Sequence, residues 1–198
     1  MYEESKIYVE AAIVELLSCM TIIKKYMKSR RGRDCIESMR SRVKTKESAF
    51  AKLKLRGLPQ TAEAALENLY DIAGVRIICS YIDDVYSVAD MIRARRDIEV
   101  IEEKDYIKKP KPNGYRSYHM IVRVPIYVAD ETHMVNAEIQ LRTIAMDCWA
   151  SLEHEMKYKK NIENQEFIAG ELKSCADDIA STDIKMQAIR DMIKGEFD

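Results

Sequence analysis

Apolar residues at Ile7, Ala11, Val14, Leu17 and Met20 recur every three to four positions and predict an amphipathic helix from about residue 5 to about residue 28. Ser29–Asp34, with Gly32 inside it, reads as a loop. A second helix is expected over Thr45–Arg56, stopped by Gly57 with Pro59 just beyond, and Thr61 is placed to cap a short helix through Asn68. Val75–Tyr81 is the β-branched, apolar run of a buried strand, and Asp83–Arg95 has a helical pattern. Glu99–Ile107 reads as a strand, followed by the loop Lys109-Pro110-Lys111-Pro112-Asn113-Gly114. Tyr118–Val128 and Met134–Leu141 read as two more strands joined by the polar turn Ala129–Thr132. Thr143–Lys157 is helical, and Ile168, Leu172, Ala176, Ile179, Met186, Ile189 and Ile193 mark a long terminal helix or two. Helices, then strands mixed with helices, then helices again is the order of an α+β fold with helical flanks.

The length, 198 residues, is that of one domain with a helical appendage. The expected division is an N-terminal helix and basic loop over 1–33, a core unit over 34–160 and a C-terminal helical extension over 161–198. A chain that is 47% hydrophobic and 33% charged is neither disordered nor fibrous. The uncharged stretch Leu16–Ile23 is far shorter than the ~20 residues of a membrane span, so no membrane partner is expected. Acidic residues follow Met1, the wrong sign for a signal peptide. The five cysteines lie far apart and form no metal-ligand spacing, which reads as reduced thiols in the cytoplasm.

Charge changes this picture. Lys24–Arg56 holds thirteen basic residues against three acids, so this segment carries +10 while the rest of the chain carries −11. Lys104–Arg123 adds six basic residues and one Asp, and the tail from Asn161 is acidic. Two basic segments in a near-neutral chain suggest a local polyanion site, although for Lys24–Arg33 a solvated helix face explains the pattern as well. With six glycines, none spaced as a P-loop or dinucleotide fingerprint, any phosphate must be held by side chains.

The side chains for that task are present. Lys44, Ser48 and Lys52 stand at helical spacing as a ladder of donors, with the guanidinium of Arg42 just upstream; an exposed basic helix has the same spacing. Asp71 precedes the Val75–Tyr81 strand, and Arg76 lies inside it, where it is either half of a structural ion pair or a ligand contact. In Met134–Leu141 the apolar residues alternate with Asn136, Glu138 and Gln140, a polar face that is either plain solvent surface or a reactive one. Glu138 with Asp71 would supply the two carboxylates that a Mg²⁺ carrying nucleotide phosphates needs. Gly114 permits a turn that would project Tyr115 as a stacking platform beside Lys108, Lys109 and Lys111, and His119 follows on the next strand.

Taken in order, the runs RVKTKESAFAK (Arg42–Lys52), DIAGVRII (Asp71–Ile78), KDYIKKPKPNGYRSYH (Lys104–His119) and EIQLRT (Glu138–Thr143), extended by WASLEHEMKYK (Trp149–Lys159), resemble the synthetase domain of the RelA/SpoT family over roughly residues 40 to 160. The short chain is similar to the small alarmone synthetases of that family. The resemblance implies a mixed β-sheet of about five strands flanked by helices, related to nucleotidyltransferases. It also implies transfer of the β,γ-pyrophosphate of ATP to the 3′-hydroxyl of GDP or GTP, releasing AMP and forming the stringent-response alarmones ppGpp or pppGpp. By motif, Arg42 and Arg76 would stack on adenine, and Lys44, Ser48 and Lys52 would hold the triphosphate. Asp71 and Glu138 would bind Mg²⁺, Glu138 also acting as general base. Tyr115 would stack on guanine, Lys104, Lys111 and His119 would contact phosphates, and Asn113 and Gln140 would complete the acceptor side. Where many long members carry Arg-x-Lys-Asp, this chain has Glu102-Glu103-Lys104-Asp105, which leaves the choice between GDP and GTP open. The His-Asp site of the family's hydrolase is absent, so a monofunctional synthetase is expected. The resemblance further implies a homotetramer built through the flanking helices and regulation by the product pppGpp; the apolar stripe Ile168–Ile193 would serve either as that interface or as simple packing on the sheet. Lys24, Lys25 and Lys28 are candidates for an allosteric anion site, and the basic segments would also serve single-stranded RNA as a regulatory partner. The competing class is a synthetase-like module that binds RNA or guanine nucleotides without turnover, for which Asp71 and Glu138 facing a basic cleft would be a liability.

Overall fold

The computed structural model describes residues 2–157 and 164–195. Its elements in chain order are α1 (Tyr2–Arg31), β1 (Ile36–Val43), α2 (Lys46–Leu55), α3 (Ala62–Asn68), β2 (Ala73–Cys79), α4 (Ile82–Arg93), β3 (Glu99–Asp105), β4 (Tyr118–Val128), β5 (Glu131–Thr143), α5 (Ile144–Lys157) and α6 (Gln165–Lys194). The strands form one mixed five-stranded sheet in the order β1-β2-β5-β4-β3, in which β2 and β5 run parallel and every other pair antiparallel.

Strand alternation gives the sheet two unlike faces. Val75, Ile77 and Cys79 on β2, Ala137, Ile139 and Leu141 on β5, and Met120, Val122 and Val124 on β4 are buried. They meet α1 and α4, so segment 1–33 shares the core of the sheet. The buried stripe of α1 is Val9, Ala12, Ile13, Leu16, Met20, Ile23 and Met27, whereas Ile7 and Val14 are exposed. The stripe is rotated from the one its spacing predicts, because α1 carries apolar residues on both sides and only packing decides which is covered. Each fully buried Leu or Met there contributes roughly 1.5–3 kcal/mol.

Other expectations shift for local reasons. The 29–34 loop is shorter than predicted, since α1 runs to Arg31 and ends on Gly32, which has φ of 66° and donates its N–H to the Lys28 carbonyl. β1 has no counterpart in the periodicity: Glu37, Ser38, Arg40, Ser41 and Arg42 give it the composition of a loop, as suits an edge strand. Thr45 and Thr61 both cap helices, accepting from the N–H of Ser48 and Ala64. Lys44 therefore lies outside α2, on the extension of β1, where its N–H donates to the Ile72 carbonyl. The turn between β4 and β5 is tighter than expected, and the C-terminal apolar residues lie on one helix. The boundary expected between residues 160 and 161 falls outside the described residues.

Ionic contacts hold the helices at the sheet ends. Asp84, fully buried at the start of α4, accepts a bidentate pair from Arg33 at 2.8 and 2.9 Å and a further bond from Arg31. Two cations of the Lys24–Arg33 run are thereby spent on the fold, and Lys28 pairs with Asp34 at 2.8 Å. At the opposite end of the chain, Arg190 binds Asp83 at 2.7 Å, and the Trp149 indole donates to the Leu172 carbonyl at 2.9 Å, so α6 is clasped to α4 and α5. Arg116 adds bonds to the Ala176 carbonyl and Asp177.

α6 packs tightly on Gly114, whose φ is 87° and where a Cβ would lie 2.5 Å from Cβ of Ala176. Gly114→Ala is expected to cost about 2–4 kcal/mol, combining left-handed strain with overpacking. A melting curve should fall by roughly 5–15 °C. Adding Ala176→Gly should recover the steric share only. An unchanged melting temperature in the single variant would contradict the contact.

Candidate active site

The polar face of the sheet is set by register. Lys104 stands opposite His119, His119 opposite Gln140, Gln140 opposite Arg76 and Arg76 opposite Arg40, one row across all five strands. In the adjoining row Arg42 lies opposite Gly74 and Gly74 opposite Glu138. The missing side chain at Gly74 lets Arg42 cross over it, with its Cγ 3.5 Å from where a Cβ would sit. The result is a cleft of about 250 Å³ lined by Arg40, Arg42, Asp71, Arg76, Glu138 and Gln140.

Asp71 anchors one end. Its Oδ2 accepts from Lys44 and Lys52, each at 2.8 Å, while its buried Oδ1 has no hydrogen-bond partner. Burial pushes this carboxyl up, but the two ammonium groups outweigh it and hold it below the ordinary carboxylate range. Glu138 lies further along the cleft. Its Oε1 meets His119 Nδ1 at 3.0 Å, and its Oε2 accepts from the Gln140 amide at 2.8 Å. Burial again pushes the carboxyl up, the hydrogen bonds bring it below its usual value, and neighbouring Asp71 opposes them. Both carboxylates are thus ionised at neutral pH.

Arg76 is held by Asp147 at 3.3 Å, the structural ion pair that the sequence left open for it, and it also lines the cleft. Burial and the nearby Arg142 pull its pKa down, yet a guanidinium remains charged. Ser48 sits in the first turn of α2, its hydroxyl accepting from Thr45 at 3.1 Å. Lys104 pairs with Glu102 at 3.0 Å on the edge strand. Asn113 donates to Glu153 at 3.0 Å. Tyr115 is half-buried against the cluster of Trp149, Ala150 and Ala176, because α6 covers the loop that was expected to project it. Its hydroxyl meets His119 Nε2 at 2.8 Å and its ring lies under the Lys111 ammonium at 4.8 Å. Lys24, Lys25 and Lys28 are on the last turns of α1, which packs on the opposite face of the sheet.

Three lining or supporting residues carried no role in the sequence reading: Arg40, Arg142 and Asp147. Arg142 continues the alternation Asn136, Glu138, Gln140 by one step, a signal that was present. Asp147 gives none, since its partners come from strands 71 and 5 residues away.

The family model described as the region found in RelA / SpoT proteins matches residues 41–163. The chain belongs to the RelA/SpoT family. It is 45% identical over 159 residues to the GTP pyrophosphokinase YwaC of Bacillus subtilis, covering 80% of this chain and 76% of that one. Its structure is similar to that of small alarmone synthetase 1 from Bacillus subtilis bound to its product pppGpp, with a TM-score of 0.87, 32% identity and 98% of both chains covered. The same enzyme bound to AMPCPP matches with a TM-score of 0.80 at 28% identity, again over 98% of each chain. The mixed five-stranded sheet expected from the RelA/SpoT resemblance is the sheet observed. Among the described residues no helix is long and apolar enough to cross a membrane.

Asp71 makes a pH signature. Its folded pKa lies below the unfolded value of about 3.9, so its stabilisation is fully present above that value and is lost as pH falls through the lower folded one. In Asp71→Asn the Lys44 and Lys52 ammonium groups lose their shared counter-charge. Urea unfolding should show the wild type more stable by a margin constant from neutral pH down to about 5, shrinking below about 4. A margin that grows in acid would contradict this assignment.

Proposed function

We propose that this protein is a (p)ppGpp synthetase: it transfers the β,γ-pyrophosphate of ATP to the 3′-hydroxyl of GDP or GTP and releases AMP. The observation that carries this reading is the convergence of two ionised carboxylates and a set of cations in one cleft of a RelA/SpoT fold. The relatives named above are a GTP pyrophosphokinase and a synthetase bound to pppGpp.

In the reaction the acceptor 3′-oxygen forms a bond to the β-phosphorus while the bond from that phosphorus to the α-bridging oxygen breaks, and AMP leaves with the bridging oxygen. Such transfers proceed by positioning and charge neutralisation, with little covalent work for the protein. Arg42 and Arg76 would stack their planar guanidinium groups on adenine, while Lys44, Ser48 and Lys52 would hold the triphosphate. Because Lys44 and Lys52 already share Asp71, they are fixed before substrate arrives, which reduces the ordering cost of binding. Glu138, held ionised, orients the acceptor hydroxyl and takes its proton as the new bond forms. Its lowered pKa makes it a modest base, so orientation carries more of its effect than proton affinity. Tyr115 would stack on guanine, Lys104, Lys111 and His119 would meet acceptor phosphates, and Asn113 and Gln140 would border that side.

Mg²⁺ fits the carboxylate pair. The unpartnered, buried Asp71 Oδ1 lies in the same cleft as Glu138. No group of three or more His, Cys, Asp or Glu suited to a metal occurs among the described residues, and one or two carboxylates completed by substrate phosphates is the pattern Mg²⁺ takes. When bound, the ion would neutralise charge on the transferring pyrophosphoryl group.

The proposal extends to a cytoplasmic, bacterial stringent-response enzyme whose catalytic unit spans 34–160 and which assembles as a homotetramer. Exposed Ile7, Val14, Ile22 and Tyr26 on α1 and Ile184, Met186, Ile189, Met192 and Ile193 on α6 support a self-associating surface. Lys24 and Lys25, with Lys28 beside Asp34, remain a proposed anion site for pppGpp or RNA. A binding module without turnover would place Asp71 and Glu138 against phosphate for no purpose, and it is not favoured.

Purified protein given ATP, Mg²⁺ and either GDP or GTP should release AMP in step with a guanosine product bearing a 3′-pyrophosphate, resolved by anion exchange. Glu138→Gln should lower the rate by about 10²–10⁴-fold. Absence of AMP release with both acceptors would overturn the function.

A further inference from the structure

Glu138 belongs to a closed ring of hydrogen bonds. From Oε1 the ring runs to His119 Nδ1 at 3.0 Å, and from His119 Nε2 to the Tyr115 hydroxyl at 2.8 Å. The Tyr115 hydroxyl accepts from Arg142 Nη2 at 2.8 Å, and the same nitrogen reaches Gln140 Oε1 at 3.3 Å. Gln140 Nε2 then donates to Glu138 Oε2 at 2.8 Å, closing the circuit. Arg142 is itself 4% exposed and fixed by Asp147 at 2.9 Å from its other terminal nitrogen.

Three members of this ring can point either way: the imidazole by tautomer, the hydroxyl by rotation and the amide by flipping. The other two cannot. Ionised Glu138 only accepts, and the Arg142 guanidinium only donates. Between these fixed ends one arrangement satisfies every bond with a neutral imidazole. Tyr115 receives from Arg142 and gives its proton to His119 Nε2, His119 gives its Nδ1 proton to Glu138, and Gln140 presents its oxygen to Arg142 and its NH₂ to Glu138. Both bonds that hold Glu138 are therefore backed by one buried guanidinium.

We propose that Arg142 is the positioning residue of the transfer reaction, clamping Tyr115 and Gln140 so that Glu138 is held from both sides in the orientation that meets the acceptor hydroxyl. This rests on the role given above to Glu138. The clamp requires a planar fork: an ammonium at the same place would balance the charge of Asp147 but cannot reach Asp147, Tyr115 and Gln140 together. Loss of the clamp frees Glu138 to turn, and His119 drifts toward the Nε2–H tautomer that free neutral imidazole prefers.

Arg142→Lys separates this role from plain charge balance. The chain has three histidines, so ¹⁵N-histidine spectra, recorded at alkaline pH where imidazole is neutral and with His119→Gln to identify the signal, read the His119 tautomer without any turnover. The wild type is expected to show Nδ1–H alone. Arg142→Lys is expected to melt near the wild type, to show a mixture of tautomers, and to lose about 10–100-fold in kcat with the KM for ATP unchanged. Tyr115→Phe, which keeps the ring and removes only the hydroxyl, should shift the tautomer the same way and serves if Arg142→Lys fails to fold. A wild-type tautomer in the folded Lys variant overturns the clamp. A mixed tautomer with wild-type kcat, or a lowered kcat with a wild-type tautomer, overturns the positioning role. A wild type that shows the Nδ1–H signal but no AMP release would instead strike the function proposed above and leave the ring standing.

Discussion

The parallel pairing of β2 with β5 is the constraint on which the rest depends. It aligns Gly74 with Glu138 and Arg76 with Gln140, and strand alternation then sends the residues between them, Val75 and Ile139, into the core. A slip of one residue would exchange the faces, burying Glu138 and Arg76 in apolar surroundings and exposing Val75. The hydrophobic face, packed under α1 and α4, therefore enforces the geometry of the polar face. The cost is a sheet with charged side chains on its central strands, tolerable because nearly every one is partnered: Glu138 by His119 and Gln140, Arg76 and Arg142 by Asp147, Asp71 by two lysines.

Charge is distributed with the same economy. The basic surplus between residues 24 and 56 divides between structure and site. Arg31 and Arg33 are spent on buried Asp84, while Arg40, Arg42, Lys44 and Lys52 line or border the cleft. Within the cleft the two carboxylates stay ionised by different partners, Asp71 through the Lys44 and Lys52 ammonium groups and Glu138 through hydrogen bonds from His119 and Gln140. That difference suits different tasks. A carboxylate facing lysines and an unpartnered oxygen is prepared for phosphate-bound cations, and one held by His119 and Gln140 is prepared for a hydroxyl.

Much of this was legible in the chain, and the rest was hidden for physical reasons. β5 declares itself by alternation, and the same alternation points to Glu138 and Gln140. Asp71 and Arg76 stood out as charged residues beside and within an apolar strand, and Lys44 and Lys52 as a basic ladder at helical spacing, although Lys44 lies on the extension of β1. β1 was invisible because an edge strand paired on one side tolerates the polar composition of a loop. The buried side of α1 could not be chosen from a helix apolar on more than one face. The packing beside Tyr115 could not be read, because nothing in its neighbourhood of sequence announces α6, some sixty residues on, closing over Gly114 at Ala176. Asp147 escaped for the same reason: its meaning lies wholly in partners brought to it by folding.

The central claim is that the acceptor's own 3′-oxygen attacks phosphorus in this cleft. It is tested most directly by supplying GDP or GTP labelled with ¹⁸O at the 3′-hydroxyl, together with ATP and Mg²⁺, and weighing both products. The account predicts that the guanosine product keeps the label in its 3′ C–O–P bridge while AMP carries none. Label lost from the guanosine product, or found in AMP, would contradict it.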